Sequence, residues 1–219
     1  MKRTTILLAD DHTMVCAGLK KLLEPEYEVI GCVEDGHSLV KTALALRPDL
    51  VLVDVSMPML NGVDAGRELK KLMPRVKLIF LTMNPDPEVA SEALQVGASG
   101  YLLKESAEEE LLLALRNALR GTSYVTPKIS HAMEQAFIRD PRSLNRPKHL
   151  SDRQHELLQL LAEGRPMKEI ANILAISHRT VRFHKYQIME ELGITNDSEL
   201  VRYAIKHGII PPDMSGPRA

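Results

Sequence analysis

Several features are scarce in this 219-residue sequence, and each scarcity removes a class of function. No apolar stretch approaches the roughly 20 residues of a membrane-spanning helix. The charged Met1-Lys2-Arg3 leads straight into a predicted strand rather than a signal peptide. Cysteine occurs twice, as Cys16 and Cys32, with no CxxC pair and no Cys/His spacing suited to a metal. Both therefore read as small buried hydrophobes rather than redox or metal ligands. The expected compartment is the cytoplasm. No internal repeat is found, and the 44% hydrophobic content is ordinary for a protein with a buried core. Net charge is only −1, so bulk charge announces no nucleic-acid partner.

Charge does vary along the chain. Residues 1–127 carry 14 Lys/Arg against 18 Asp/Glu, whereas residues 128–148 carry 5 against 2. Apolar runs and helical patterns alternate up to about Gly121. Strands are expected at 5–9, 28–33, 50–54, 77–81 and 99–103, with helices near 13–23, 36–46, 62–72, 87–96 and 107–119. Pro48, Pro74 and Gly97 fall where helices should stop. Runs apolar on both faces and separated by helices read as parallel strands. Five βα units with right-handed crossovers make a doubly wound α/β domain. A short helix follows over 126–140. The polar, basic and Pro-bearing stretch 139–148 has linker composition. From Leu150 onward only helical periodicity remains. The expected organisation is residues 1–122, a linker with a short helix over 123–148, and an all-α domain over 149–219.

Four of the apolar runs end on residues suited to phosphoryl chemistry. Ile6-Leu7-Leu8-Ala9 stops at Asp10-Asp11, and Leu50-Val51-Leu52-Val53 at Asp54; Leu78-Ile79-Phe80-Leu81 stops at Thr82, and Tyr101-Leu102-Leu103 at Lys104. In open α/β sheets the functional crevice lies outside the carboxyl ends of the strands. Three carboxylates, a hydroxyl and an amine are thus expected on one patch. Clustered carboxylates suit a hard divalent cation such as Mg²⁺. Asp54 is placed to act as a nucleophile, with Thr82 donating to a phosphoryl oxygen and Lys104 offsetting its charge. The competing reading has Asp10 and Asp54 merely capping the helices that follow them.

These residues lie in motifs that resemble the receiver domain of two-component response regulators over residues 1–122. The motifs are Leu8-Ala9-Asp10-Asp11-His12, Asp54 through Gly62 (with Met57-Pro58 and Asn61), Leu81-Thr82, and Gly97-Ala98-Ser99-Gly100-Tyr101-Leu102-Leu103-Lys104. The resemblance implies a flavodoxin-like five-stranded parallel sheet. It implies Mg²⁺ held by Asp10, Asp11, Asp54 and the Ser56 backbone carbonyl, with Asp54 as phosphoacceptor. Thr82 and Tyr101 become the switch pair and Lys104 the phosphate-binding lysine. Met83 stands where many receivers carry a small residue, and its bulk is expected to restrict access to the pocket. Phosphatases of the haloacid-dehalogenase type also use an aspartate nucleophile after a strand. They need a general acid two positions on, and here that position is Ser56. A turnover enzyme is therefore not expected.

In the second half Ser151 and Gln154 form a capping box, and Leu157, Leu158, Leu160 and Leu161 give a core face. A short helix runs from Met167 to Leu174, a tight turn covers 175–177, and Ser177 can cap the next helix. That helix opens His178-Arg179-Thr180-Val181-Arg182-Phe183-His184-Lys185-Tyr186, with three cations, two histidines and no acid. Helix, turn, helix with a basic start is the geometry of a major-groove reader. The competing reading is a solvated basic face on a small helical bundle.

Residues 149–210 resemble the LuxR-type helix-turn-helix domain at Leu150-Ser151, Arg153, Glu163-Gly164, Lys168 to Ala171, Ile176-Ser177, Thr180 to Arg182, His184 and Leu192 to Ile194. Gln154 replaces the usual Glu, and Ala175 the usual Gly of the turn. The combination resembles the NarL/FixJ subfamily of response regulators. It implies DNA recognition by Arg179, Arg182, Phe183, Lys185 and Tyr186, with Thr180 and His184 meeting phosphates or bracing the helix. The final helix, about 198–206, is either a dimer contact or intramolecular core. Expected partners are a sensor histidine kinase, double-stranded DNA, a second copy of the chain, and RNA polymerase as a further candidate. The alternative function is a phosphorylation-independent DNA-binding regulator that keeps its receiver as a dimerisation module.

Overall fold

A computed structural model describes residues 3–106, 108–140 and 150–211. The chain divides into two compact units, Met1–Asn145 and Arg146–Ala219. The last part of the expected linker, 141–148, lies outside the described residues.

The first unit alternates strand and helix: β1 Thr5–Ala9, α1 Thr13–Leu23, β2 Glu28–Val33, α2 Gly36–Leu46, β3 Leu50–Asp54, α3 Gly62–Leu72, β4 Lys77–Thr82, α4 Pro87–Val96, β5 Gly100–Leu103, α5 Glu108–Arg120, β6 Tyr124–Val125 and α6 Pro127–Arg139. All strand pairs are parallel, in the order β2-β1-β3-β4-β5-β6. The flavodoxin-like order of the first five is present, and β6 adds a sixth strand at the edge beside β5. Its two residues are too few to produce a periodic signal. Only pairing with Gly100 and Tyr101 makes them a strand.

Burial on both faces explains the unbroken apolar runs. Leu7, Ala9, Val51, Val53, Leu78, Phe80, Tyr101 and Leu103 pack on one side, with α2, α3 and α4. Ile6, Leu8, Leu50, Leu52, Ile79, Leu81 and Leu102 pack on the other, with α1 and α5. Each fully buried side chain of this kind contributes roughly 1.5–3 kcal/mol relative to exposure. Helix starts are set by polar caps: Asp35 accepts from Ser38 N–H, Asn61 from Asp64 N–H, and Asp86 from the first turn of α4, where Pro87 sits at the N-terminus. Gly97 ends α4 in the left-handed region, at φ 96°.

The cysteines depart from expectation. Cys16 and Cys32 form a disulfide, with Cα atoms 6.6 Å apart. Cys16 is buried, but Cys32 stands on the exposed side of the edge strand. Their proximity arises only when α1 packs against β2, which a spacing of 16 residues does not disclose.

The second unit is all helix: α7 Asp152–Ala162, α8 Met167–Ile173, α9 His178–Leu192 and α10 Asp197–Lys206. Leu157, Leu158, Leu160, Ile170, Leu174, Val181, Ile188, Leu200 and Ala204 are buried and form its core, while Leu161 and Leu192 are half-buried. Leu200 is thus intramolecular core, and Val201 and Ile205 remain half-buried. The capping box at Ser151 and Gln154 is formed in both directions.

Candidate functional site: an acidic crevice and a basic helix

Chain order reverses at β1, which has β2 on one side and β3 on the other. Crevices form at such switch points, outside the carboxyl ends of the strands. Asp10 follows β1 and Asp54 closes β3, and both are buried. Lys104, following β5, bridges them with Nζ 2.7 Å from Asp10 Oδ2 and 2.9 Å from Asp54 Oδ2. Its backbone N–H donates to the Thr82 carbonyl at 2.7 Å, fixing the lysine to the end of β4. Asp11 lies at the mouth, its side chain 16% exposed. Ligand atoms of Asp10, Asp11, His12 and Asp54 all fall within 4.8 Å of one another.

Capping does not account for these acids. The N-cap of α1 is His12, and that of α3 is Asn61, well beyond Asp54. Asp10 does accept the His12 backbone N–H at 2.9 Å, through Oδ1. Gly62 closes the loop after β3, where a Cβ would lie 1.9 Å from the Asp54 carbonyl oxygen. Ser56 turns a backbone N–H toward the Asp54 carboxylate.

Burial raises the Asp54 carboxyl to about 6, and Asp10 adds to the rise; Lys104, and to a lesser degree the Ser56 N–H, oppose it. For Lys104, burial favours the neutral amine, but Asp54 and Asp10 outweigh it and raise its pKa. Three hard carboxylates that can each bring an oxygen to one point suit a small divalent cation such as Mg²⁺.

Thr82 is buried at the end of β4, and its hydroxyl accepts the Asn84 N–H at 3.1 Å. Tyr101 on β5 is completely buried, which pushes its phenol above the usual range; the neighbouring Thr82 hydroxyl opposes that shift. The Tyr101 hydroxyl makes no well-formed hydrogen bond among the described residues. Met83 projects 75% exposed into solvent.

In the second unit, Ser177 caps α9 by accepting the Thr180 N–H, and its hydroxyl lies 2.7 Å from that of Thr180. Arg153 donates to the Leu174 carbonyl and pairs with Glu156, tying the end of α8 to α7. Ala175 takes the turn's left-handed position, at φ 52°. Arg179, Arg182, Phe183 and Tyr186 are exposed on α9. The Arg182 guanidinium lies 5.9 Å over the Tyr186 ring, and Phe183 meets His184 edge-on. His184 is half-buried, with Nδ1 3.0 Å from Gln187 Oε1. Lys185 departs from the expected projection. Its side chain is 13% exposed and its ammonium lies 2.6 Å from Asp197 on α10.

Two residues near these sites, His12 and Asp197, carry no role that the sequence motifs assign. His12 stands directly after the paired acids, which is a readable signal. The acid that meets Lys185 comes twelve positions later on another helix, and only the fold reveals it.

Comparison with known proteins agrees with both halves. The family model for the response regulator receiver domain matches residues 6–116, and that for bacterial regulatory proteins of the luxR family matches residues 148–204. Oxygen regulatory protein NreC of Staphylococcus aureus is 36% identical, covering 94% of this chain and 98% of its own length. Transcriptional regulatory protein DegU of Brevibacillus brevis is 33% identical, covering 93% of each. RcsB of Salmonella enterica serovar Typhimurium, solved bound to a promoter in the presence of the phosphomimetic BeF₃⁻, is 30% identical with a TM-score of 0.64, covering 92% of this chain and 98% of that one. A second structure, of two RcsB dimers on two parallel DNAs, is 30% identical with a TM-score of 0.57, covering 94% of this chain and 99% of that one. The chain therefore belongs to the response regulators of the NarL/FixJ subfamily, DNA-binding proteins that join a receiver domain to a LuxR-type helix-turn-helix domain.

Proposed function

We propose that Asp54 accepts a phosphoryl group from a sensor histidine kinase and that the resulting acyl phosphate switches DNA binding by α9. The single observation that carries this reading is the Asp10–Lys104–Asp54 bridge, in which one ammonium is shared by two buried carboxylates at a strand-order switch point.

Asp54, mostly ionised at neutral pH with a pKa of about 6, attacks phosphorus through a carboxylate oxygen. The bond from phosphorus to the donor's imidazole nitrogen breaks, and the electron pair leaves with that nitrogen. Lys104 moves from Asp54 to a phosphoryl oxygen, where a compact cation offsets the new charge. Thr82 donates its hydroxyl to a second oxygen. Asp10, Asp11, Asp54 and the Ser56 carbonyl would hold Mg²⁺, which supplies charge neutralisation at the phosphoryl oxygens. When Thr82 turns toward the phosphoryl group, the space beside Tyr101 changes, and the surface formed by about residues 85–121 changes with it. Dimerisation, release of the second domain, or both follow. RNA polymerase is then a downstream partner.

On DNA, α9 enters the major groove, with Arg179, Arg182, Phe183 and Tyr186 presented to it. Thr180, His184 and Lys185 meet phosphates or brace the helix. The protein acts in the cytoplasm; among the described residues no helix is long and apolar enough to cross a membrane.

The test is labelling with a small phosphodonor and Mg²⁺. Wild type should form an acid-stable, base-labile adduct, and Asp54→Ala should form none. Equal labelling of the Ala variant would remove Asp54 from the role.

A further inference from the structure

His12 is the N-cap of α1, yet its side chain caps no backbone N–H. It turns instead toward the acids. Nδ1 lies 2.8 Å from Asp11 Oδ1 and 3.4 Å from Asp10 Oδ1. One imidazole nitrogen and one oxygen each from Asp10, Asp11 and Asp54 fall within 4.8 Å of one another. Donors at opposite sides of a transition ion are about 4.2 Å apart, since metal–nitrogen and metal–oxygen bonds are near 2.1 Å. A small inward movement therefore brings all four onto one ion. His12 is also free to make it, because its side chain is 56% exposed, against 1% for Asp10.

We propose that His12 makes this pocket a mixed nitrogen–oxygen site, selective for borderline divalent transition ions of the cobalt, nickel and zinc class. The inference rests on the reading of Asp10, Asp11 and Asp54 as a divalent-cation site. Mg²⁺ is a hard ion that takes oxygen donors, so an imidazole adds nothing to its binding. Cobalt, nickel and zinc accept imidazole readily. His12 thus raises affinity for one class and leaves the other untouched. With Mg²⁺ in the pocket the ring keeps its contact to Asp11; with a transition ion Nδ1 becomes a ligand.

The experiment is titration of the full chain with CoCl₂ at fixed pH, read by the visible absorption of bound Co²⁺. The chain has eight histidines, so only the Co²⁺ signal displaced by MgCl₂ is scored. Mg²⁺ binding is measured separately by calorimetry. Wild type, His12→Ala and Asp54→Asn are compared, with His12→Asn, which introduces a favourable N-cap residue, replacing the alanine variant should that one fail to fold. The expected result for the His12 variant is Co²⁺ binding weaker by at least roughly tenfold, a changed Co²⁺ spectrum, and Mg²⁺ affinity within about twofold of wild type. Equal Co²⁺ affinity and spectrum in the variant would overturn the inference. So would an equal loss of both ions, since His12 would then act only by orienting Asp11. Absence of any Mg²⁺-displaceable Co²⁺ on wild type, or its persistence in Asp54→Asn, would overturn the inference together with the reading of the pocket beneath it.

Discussion

At Asp54, burial and Asp10 lift the carboxyl from an ordinary 3.8 to about 6 in spite of Lys104. The folded-state pKa thus lies above the unfolded one. The neutral acid favours the fold fully below about pH 4, and that contribution is lost as pH rises through about 6. Ionised Asp54 works against the structure that holds it. With a chelator present, Asp54→Asn should be more stable than wild type by roughly 1–3 kcal/mol at pH 7.5, and by little near pH 4. Urea midpoints at constant slope across that range read the effect directly. A difference that stays constant with pH would mean that the variant changes packing rather than charge.

Lys185 poses a different question at the same scale. Its ammonium is held by Asp197, which is 72% exposed, and exposed ion pairs contribute only about 0–1 kcal/mol. DNA phosphates can therefore displace the acid. Asp197→Asn should tighten binding to specific and scrambled duplexes alike and steepen the salt slope by about one, because one more cation is freed for phosphate. Arg182, exposed and stacked on Tyr186, should differ: its alanine variant should lose discrimination of roughly 1–3 kcal/mol at one base pair. Titrations at several salt concentrations separate the two behaviours. An unchanged salt slope in Asp197→Asn would mean that Lys185 stays clear of the phosphates.

Among the elements, the turn between α8 and α9 carries a local cost. Ala175 sits at φ 52°, where an L-residue with a Cβ is disfavoured by roughly 1–2 kcal/mol. Glycine has no such penalty but gives the unfolded chain more freedom, worth about 0.4–1 kcal/mol. Ala175→Gly should therefore stabilise the second unit by up to about 1.5 kcal/mol, read as a rise in the temperature of its unfolding transition. A fall would show that the turn owes its conformation to packing that alanine supplies. Sequence exposed this position because the departure from glycine falls in a motif. It exposed the five main strands because burial on both faces leaves unbroken apolar runs ending in functional residues. It could not expose β6, whose two residues depend on β5 for their pairing. Nor could it expose the Cys16–Cys32 bridge or the Lys185–Asp197 pair, since both join segments that meet only through helix packing. The direction in which His12 points is of the same kind: the residue is visible beside the acids, but its χ angles are not.

For the whole molecule the question is coupling between a pocket in one compact unit and a helix in the other. Coupling between two binding events is reciprocal. BeF₃⁻ binds reversibly, so it serves as one ligand, and duplex DNA selected for tight binding serves as the other. If BeF₃⁻ with Mg²⁺ tightens DNA binding by a given factor, DNA must tighten BeF₃⁻ binding by that same factor. A typical factor of about 5–150 corresponds to 1–3 kcal/mol of coupling. Dimerisation carries part of it, because two copies on one duplex need half-sites about 10 bp apart or a multiple of that spacing. Insertion of about 5 bp between half-sites turns the readers to opposite faces of the duplex. The insertion should therefore abolish the BeF₃⁻ effect on DNA affinity while leaving binding to a single half-site unchanged. If both factors equal one, and the 5 bp insertion still weakens binding, the receiver serves as a phosphorylation-independent dimer module and the acidic pocket does not govern the reader.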